Sequence, residues 1–128
     1  LLAWLLDDEF EKDELMALYL NVVEFGPNLF GIGDAAEHYF QKKPLELSPG
    51  EIGWLVRLLP SPRPLYEHFK KGRLTRGHTR SINRLLRLLV KRGHLSEDDF
   101  VELGEDDLWA HLSDEKRKAL VESIELTP

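Results

Sequence analysis

The chain has 128 residues, 42% of them hydrophobic and 31% charged, with a formal net charge of −6 and no cysteine. That is room for one domain with a modest core, in the ordinary composition range of a globular chain. The missing cysteines exclude disulfides, thiolate zinc sites and cysteine nucleophiles together, and no apolar run approaches the roughly 18 residues a bilayer span needs.

In chain order, residues 1–11 read as a helix remnant with Leu2, Leu5, Leu6 and Phe10 on one face, and Asp8 and Lys12 as a helical pair. The leading LLAWLL runs into Asp7, Asp8 and Glu9 with no basic flank or cleavage pattern, so it reads neither as a span nor as a signal peptide. Leu1 sits inside a helical pattern and is not expected to be a natural amino terminus. Asp13 is expected to cap the next helix, with Glu14 in its first turn. Leu15, Leu18 and Val22 then recur at helical steps with Tyr19 beside them.

Gly26-Pro27-Asn28 stops that helix, and a second apolar-periodic run (Ala35, Ala36, Tyr39, Phe40) starts behind Asp34. The stretch is therefore helix, glycine-punctuated loop, helix, with Asn21 and Glu24 at the mouth of the loop. Gly31 to Ala36 fits the dinucleotide fingerprint G-x-G-x-x-A, but only Leu29-Phe30 precedes it and no βαβ unit is in view. The glycines read instead as a loop turning into a helix.

Ser48-Pro49-Gly50-Glu51 carries a hydroxyl cap, a first-turn Pro and a Glu three residues after the Ser, so a helix runs from there to about Leu59. Pro60, Pro62 and Pro64 are expected to force an extended path, and Arg57 reads as a snorkelling edge residue. Thr75 to Gly93 gives the longest helix, with Ile82, Leu85, Leu86, Leu89 and Val90 as its buried stripe and Gly93 as its stop. Ser96 with Asp99, and Ser113 with Asp114 and Glu115, open two further helices, the second ending near Ile124. Residues 104–107 read as an acidic loop or a further cap. No alternating strand pattern survives, so the fold class is all-α.

The net charge hides an asymmetry: residues 63–94 carry ten Lys/Arg against one acid, Glu67. Arg73, Arg76, Arg80, Arg84, Arg87 and Lys91 recur every three or four residues on one side of the long helix. That stripe reads as a solvated face, as a seat for phosphates or an anionic membrane surface, or as a nucleic-acid contact. The acidic remainder and the lack of interleaved aromatics disfavour nucleic acid. The five histidines (38, 68, 78, 94, 111) fall at no spacing that sets two on one helical turn, and no metal site is read from them. Burial of Glu24 beside Asn21 would raise its pKa toward general acid–base use; the other reading is a carboxylate bonded to loop amides. Asn21 reads equally as a ligand or as a helix-end cap. Tyr19 and Tyr39 read as core aromatics with satisfied hydroxyls, and Lys12 as solvent-facing.

As an ordered series, Lys12-x-x-Leu15-Met16-x-x-Tyr19-Leu20-Asn21, Gly26, Gly31, Ala36 and Tyr39-Phe40 resemble the K-x-x-I-L-E-x-Y-L-N region of the family 51 glycosyltransferases. These are the peptidoglycan polymerases of monofunctional transglycosylases and bifunctional penicillin-binding proteins. The resemblance continues through Leu47-Ser48-Pro49-x-Glu51 (the family's L-T-x-x-E) and Leu58-Leu59-Pro60-x-Pro62. It reaches Asn83, Leu86 and Gly93-His94-Leu95-Ser96, near the family's R-x-N-x-V-L-x-x-M. The departures are Ala17 for the Glu of I-L-E, Gln41 for the Gly of Y-F-G-K, and Ile82 and Leu89 for the Arg and Met of the last motif.

The resemblance implies a multi-helix, lysozyme-like domain, with residues 1–100 its carboxy-terminal part and 101–128 a helical extension. It implies that both catalytic glutamates lie upstream of Leu1, leaving Glu24 as a weak candidate and the fragment alone inactive. Lys12, Tyr19, Asn21 and Glu24 would be substrate-binding, and the stripe from Arg73 to Lys91 an anionic-surface contact. In the family a Glu deprotonates the acceptor lipid II, whose hydroxyl displaces the undecaprenyl pyrophosphate of the growing glycan strand. A divalent metal often assists in the complete domain; no cofactor is assigned to this fragment. The location implied is the periplasmic face of a bacterial inner membrane, with any anchor outside the chain. The expectation from another class is a non-catalytic helical module that binds an anionic partner through the basic helix.

Overall fold

A computed structural model describes residues 9–59 and 62–125, with side chains for 14–59 and 65–124. The expected helix remnant before Glu9, the Asp8–Lys12 pair and Pro60 lie outside those residues. Six helices are described: α1 (Glu9–Val22), α2 (Ile32–Phe40), α3 (Pro49–Leu58), α4 (Pro62–Lys71), α5 (Arg76–Lys91) and α6 (Asp114–Glu125). Between α1 and α2 lies a small antiparallel hairpin, β1 (Glu24–Gly26) and β2 (Leu29–Phe30), with Glu24 opposite Phe30 and Gly26 opposite Leu29. The fold is mostly helical as expected, but the glycine-punctuated loop is a hairpin and not plain loop. Strands this short are below the length at which alternation can be read from sequence.

α1 runs without a break through Asp13, which is therefore a helix-interior residue and not a cap. α2 begins at Ile32, with Gly31 as its N-cap and Asp34 in its first turn. Gly31 has φ +88, and a Cβ there would meet the Asn21 carbonyl oxygen at 2.5 Å, so α2 starts tight against the end of α1. At its other end α2 closes on Gln41 in the left-handed region, φ 55 and ψ 40.

α3 starts as the sequence indicates. The Ser48 hydroxyl accepts from Glu51 N at 3.3 Å, and Glu51 Oε1 accepts from Ser48 N at 2.8 Å. Glu51 is buried and also takes Lys42 Nζ at 2.9 Å. α4 overturns the extended path expected from the prolines, since the helix is under way at Pro62. Pro62 and Pro64 fall in its first turn, where the backbone N–H groups lack an intrahelical acceptor and proline loses nothing by having none.

α5 is capped by Thr75, whose hydroxyl accepts from His78 N at 3.2 Å. It ends at Gly93 (φ +78), where Gly93 N bonds Val90 O at 3.1 Å and His94 N bonds Leu89 O at 2.9 Å, the paired closure of a Schellman motif. Ile82 and Leu86 are fully buried, while Leu85, Leu89 and Val90 of the expected stripe are only half-buried. Ser96 opens a single turn over 97–99 and not a helix. The chain beyond it has no regular structure over 100–104 and is held by Asn83, whose side chain bonds Leu103 twice: Nδ2 donates to the carbonyl at 2.9 Å and Oδ1 accepts the amide proton at 2.8 Å. Ser113 caps α6 through Lys116 N at 3.2 Å.

The core is aromatic. Tyr39 meets Trp54 and Phe69 edge-on at 4.7 and 5.1 Å, and Trp54 meets Trp109 edge-on at 5.1 Å, each pair adding about 0.5–1.5 kcal/mol beyond burial. Trp109 also donates its indole N–H to Tyr39 O at 3.1 Å. With Leu108 and Leu112 it brings residues 108–112 into the same cluster as α2, α3 and α4. Among the described residues, no buried side-chain nitrogen or oxygen lacks a partner.

Candidate functional site

The hairpin follows α1 in the chain and packs against α2 and α4. Its turn sets Pro27 ahead of a left-handed Asn28, φ 57, the conformation Asn tolerates best after Gly. Asn28 Nδ2 donates to Ile124 O at 3.3 Å, which ties the tip of the hairpin to α6. From below, the Tyr39 hydroxyl donates to Phe25 O at 2.7 Å. Gly26 packs directly over that hydroxyl, where a Cβ would run into it.

Beside this tie, His38 Nε2 and the Tyr66 hydroxyl lie 2.9 Å apart in a buried pair. Burial pushes the His38 imidazole down to about 4. Burial, then the neighbouring Tyr66 and Glu24, push the Tyr39 hydroxyl up, so it stays a proton donor. Tyr39 is the core aromatic expected of it. Tyr19 is not: it stands on α1 at 46% exposure, on a side of the helix that the core does not cover.

Of the other sequence candidates, Asn21 is exposed in the last turn of α1 and Glu24 is half-buried on β1. Lys12 belongs to α1, and its side chain lies outside the described residues. Asn21 and Glu24 thus flank the start of the hairpin, Tyr19 stands two residues before Asn21 and so on another side of α1, and Glu24 is close enough to Tyr39 to act on its hydroxyl. Asn21 contributes to the hairpin through its backbone, which Gly31 abuts, and so the residue's side chain stays directed outward at the surface.

All six members of the basic stripe are exposed. The acidic segment 102–106 folds back onto part of it: Arg87 Nη2 meets Glu102 Oε1 at 2.6 Å, and Arg73 Nη2 meets Glu105 Oε2 at 2.9 Å. Arg76 reaches Glu105 at 3.9 Å, and Arg73 also reaches Asp106 at 3.5 Å. Arg80 and Arg84, between them, have no ion pair among the described residues. The acidic loop is plain in the sequence but its target is not, because no local pattern pairs residues fifteen or more apart.

A second cluster was invisible to spacing. The His68 and His78 rings meet at 4.5 Å, on α4 and α5. His68 Nδ1 accepts from Trp54 Nε1 at 3.4 Å, and His78 Nδ1 faces the Thr75 hydroxyl at 2.9 Å. Burial lowers both imidazoles; His78 and then Lys71 lower His68 further, and Arg57 does the same to His78. Among the described residues, no three His, Asp or Glu side chains converge on one point. They therefore offer no seat for the divalent metal that the family resemblance implies. No described helix is long and apolar enough to cross a membrane.

The fold and this hairpin define the class: a mostly helical domain whose glycine-rich turn is pinned to a buried tyrosine between two helices. Residues 1–88 match the family model described as Transglycosylase, and the chain belongs to that family. It is 36% identical over 94 residues to a biosynthetic peptidoglycan transglycosylase of Pasteurella multocida, an alignment covering 73% of this chain and 37% of the relative. To the protein of that name from Bordetella pertussis it is 33% identical over 88 residues, covering 69% and 36%. For Bdellovibrio bacteriovorus the figures are 28% over 99 residues, 77% and 40%. The chain thus spans two fifths or less of each of these relatives.

Proposed function

We propose that this chain is the carboxy-terminal part of a peptidoglycan glycosyltransferase that polymerises glycan strands from lipid II at the bacterial cell envelope. The observation that supports this reading is the pinned hairpin. Asn21, of the family-like series, and Glu24 lie at the two chain positions flanking its start, while Tyr39, Gly26 and Gly31 hold the hairpin in place. In this reading the chain supplies a wall of the substrate cleft, and Lys12, Tyr19, Asn21 and Glu24 line it. The general base acts from outside these residues.

The test is a chimaera. The stretch of the Pasteurella multocida relative aligned with this chain is replaced by the chain itself, and lipid II consumption is followed. The chimaera polymerises; the 128-residue chain alone does not, since losing a general base costs on the order of 10²–10⁴ in rate. A folded but inactive chimaera refutes the reading. Glycan strands formed by the chain alone would move the base inside it, to Glu24 first.

A second reading, favoured by Arg80 and Arg84 standing without ion pairs among the described residues, has α5 face an anionic surface. Each Lys or Arg beside an anionic bilayer contributes about 1 kcal/mol. The chain should cosediment with anionic vesicles at low salt and lose this on charge reversal of Arg80, Arg84 and Arg87. Tighter binding to duplex DNA, with a steep salt slope, would put nucleic acid first.

A further inference from the structure

The His68–His78 pair has no part in the hairpin, and its chemistry is set by its neighbours. His68 is 7% exposed, and its Nδ1 accepts from Trp54 Nε1 at 3.4 Å. An indole N–H only donates, so the proton of the neutral His68 ring sits on Nε2. Nε2 has no hydrogen-bond partner among the described residues, and none of their buried side-chain nitrogens lacks one. It therefore reaches the surface as an unused N–H donor. His78 repeats the arrangement. Thr75 Oγ1 already accepts from His78 N, and its hydroxyl proton finds an acceptor in His78 Nδ1 at 2.9 Å, which again leaves the ring proton on Nε2.

Cations from two further positions surround the pair. Arg57 on α3 and Lys71 on α4 are exposed, and neither has an ion pair among the described residues. Arg73 and Arg76, a few residues on, are by contrast taken by Glu105, and the one acid of this stretch, Glu67, takes Lys70 at 3.6 Å. Burial lowers both imidazoles, and the charges that lower them further are cationic: His78 and then Lys71 on His68, Arg57 on His78. The N-terminus of α5 adds its own positive end, since its first turn holds no acid and Gly77 leaves open space where a Cβ would stand.

This set of groups repels a metal ion and suits an anion. The nitrogens with free lone pairs, the two Nδ1, are engaged by Trp54 and Thr75, and a protonated Nε2 is no metal ligand. Two N–H donors, each with a cation close enough to act on its ring, match an anion with more than one charge and more than two oxygens. A carboxylate falls short on both counts, whereas a phosphate monoester carries about 1.5 to 2 negative charges and three acceptor oxygens. We propose that His68, His78, Arg57 and Lys71 form a phosphate site, each imidazole donating Nε2–H to a phosphate oxygen while Arg57 and Lys71 hold its charge. Such a phosphate comes either free in solution or on a lipid head group. The site needs none of the exposed arginines from Arg80 to Arg87, and it stands apart from the reaction proposed above.

The test titrates orthophosphate into the 128-residue chain at constant ionic strength and follows the imidazole nitrogens by long-range proton–nitrogen NMR. Without phosphate both rings show the Nε2–H tautomer. With it, His68 and His78 hold their second proton to higher pH, while His94 and His111 do not respond. Arg57→Gln and His78→Gln should each weaken binding about tenfold, as the loss of one hydrogen bond to a charged partner does. Circular dichroism should stay unchanged in both, because Arg57 is exposed and His78 only half-buried. Arg84→Gln should leave the affinity unaltered. Cosedimentation with phosphatidylcholine vesicles carrying phosphatidic acid, lost in the first two variants and kept in the third, places the phosphate on a lipid. Orthophosphate binding without such cosedimentation makes it a soluble phosphate. The proposal is overturned if neither ring responds to orthophosphate, if acetate at the same ionic strength does as well, or if Arg84→Gln weakens binding as much as Arg57→Gln. It is equally overturned if zinc ion alone takes up the two rings and orthophosphate does not.

Discussion

Tyr39→Phe isolates the tie that sets the hairpin. The ring and its edge-on contacts with Trp54 and Phe69 remain, and only the O–H that donates to Phe25 O at 2.7 Å is deleted. A buried acceptor stripped of its donor costs about 1–3 kcal/mol. In a domain of this size each kcal/mol lowers Tm by roughly 4 °C. Gly26→Ala attacks the same point from above, because its Cβ would collide with that hydroxyl, with Leu29 Cδ1 next at 3.2 Å. Removing the hydroxyl relieves the first collision and not the second. The alanine should therefore cost less in the Tyr39→Phe background, with a coupling of about 1 kcal/mol or more between the two sites. Urea and thermal unfolding of the four proteins, followed by circular dichroism, measure it. A Tyr39→Phe cost below about 0.5 kcal/mol, or two costs that simply add within the ~0.5 kcal/mol expected of independent sites, would refute the tie.

Acid should unfold the chain before most carboxylates titrate. His38 is held down to about 4 against 6.5 in the unfolded chain, so the unfolded state binds the proton first; the stability is full above pH 6.5 and is lost as pH falls toward 4. Over that window the His38 shift is worth about 3 kcal/mol, and His68 and His78 act in the same direction. His38→Gln should flatten the loss, and an unchanged acid slope in that variant would contradict the assignment. On α5, Ile82→Ala and Leu86→Ala should each cost about 2–5 kcal/mol, Leu85→Ala clearly less, and Arg84→Ala within about 0.5 kcal/mol; equal effects of Leu85→Ala and Leu86→Ala on urea unfolding would show the burial pattern to be wrong.

What the sequence made legible was local. The capping box at Ser48 and Glu51, the Ser113 helix start and the Gly93 stop each rest on groups within five residues of one another, and each stands where expected. The errors fall where a distant partner decides. Asn83 reads as one residue of a motif, yet its side chain bonds both backbone groups of Leu103, twenty positions on. The prolines after Leu59 mislead for a different reason: proline forbids a helix interior but suits a helix start, and only the structure tells which turn it occupies.

Gln41 joins both lessons. The family-like pattern has Gly at this position, and the backbone at residue 41 shows why, since the helix closes in the left-handed region where a side chain costs about 1–2 kcal/mol. The chain carries Gln and offsets that strain by hydrogen bonding. Gln41 Nε2 donates to His38 O at 3.0 Å, closing its own helix end, and Gln41 Oε1 meets His111 Nε2 at 2.8 Å. His111 stands beyond the stretch that matches the family, on a segment that Trp109 has already anchored to Tyr39 O. The departure at position 41 is thus compensated from residues 109–111. The same segment that carries Trp109 into the core holds the end of α2, and through α2 it steadies Tyr39 and the hairpin that Tyr39 pins.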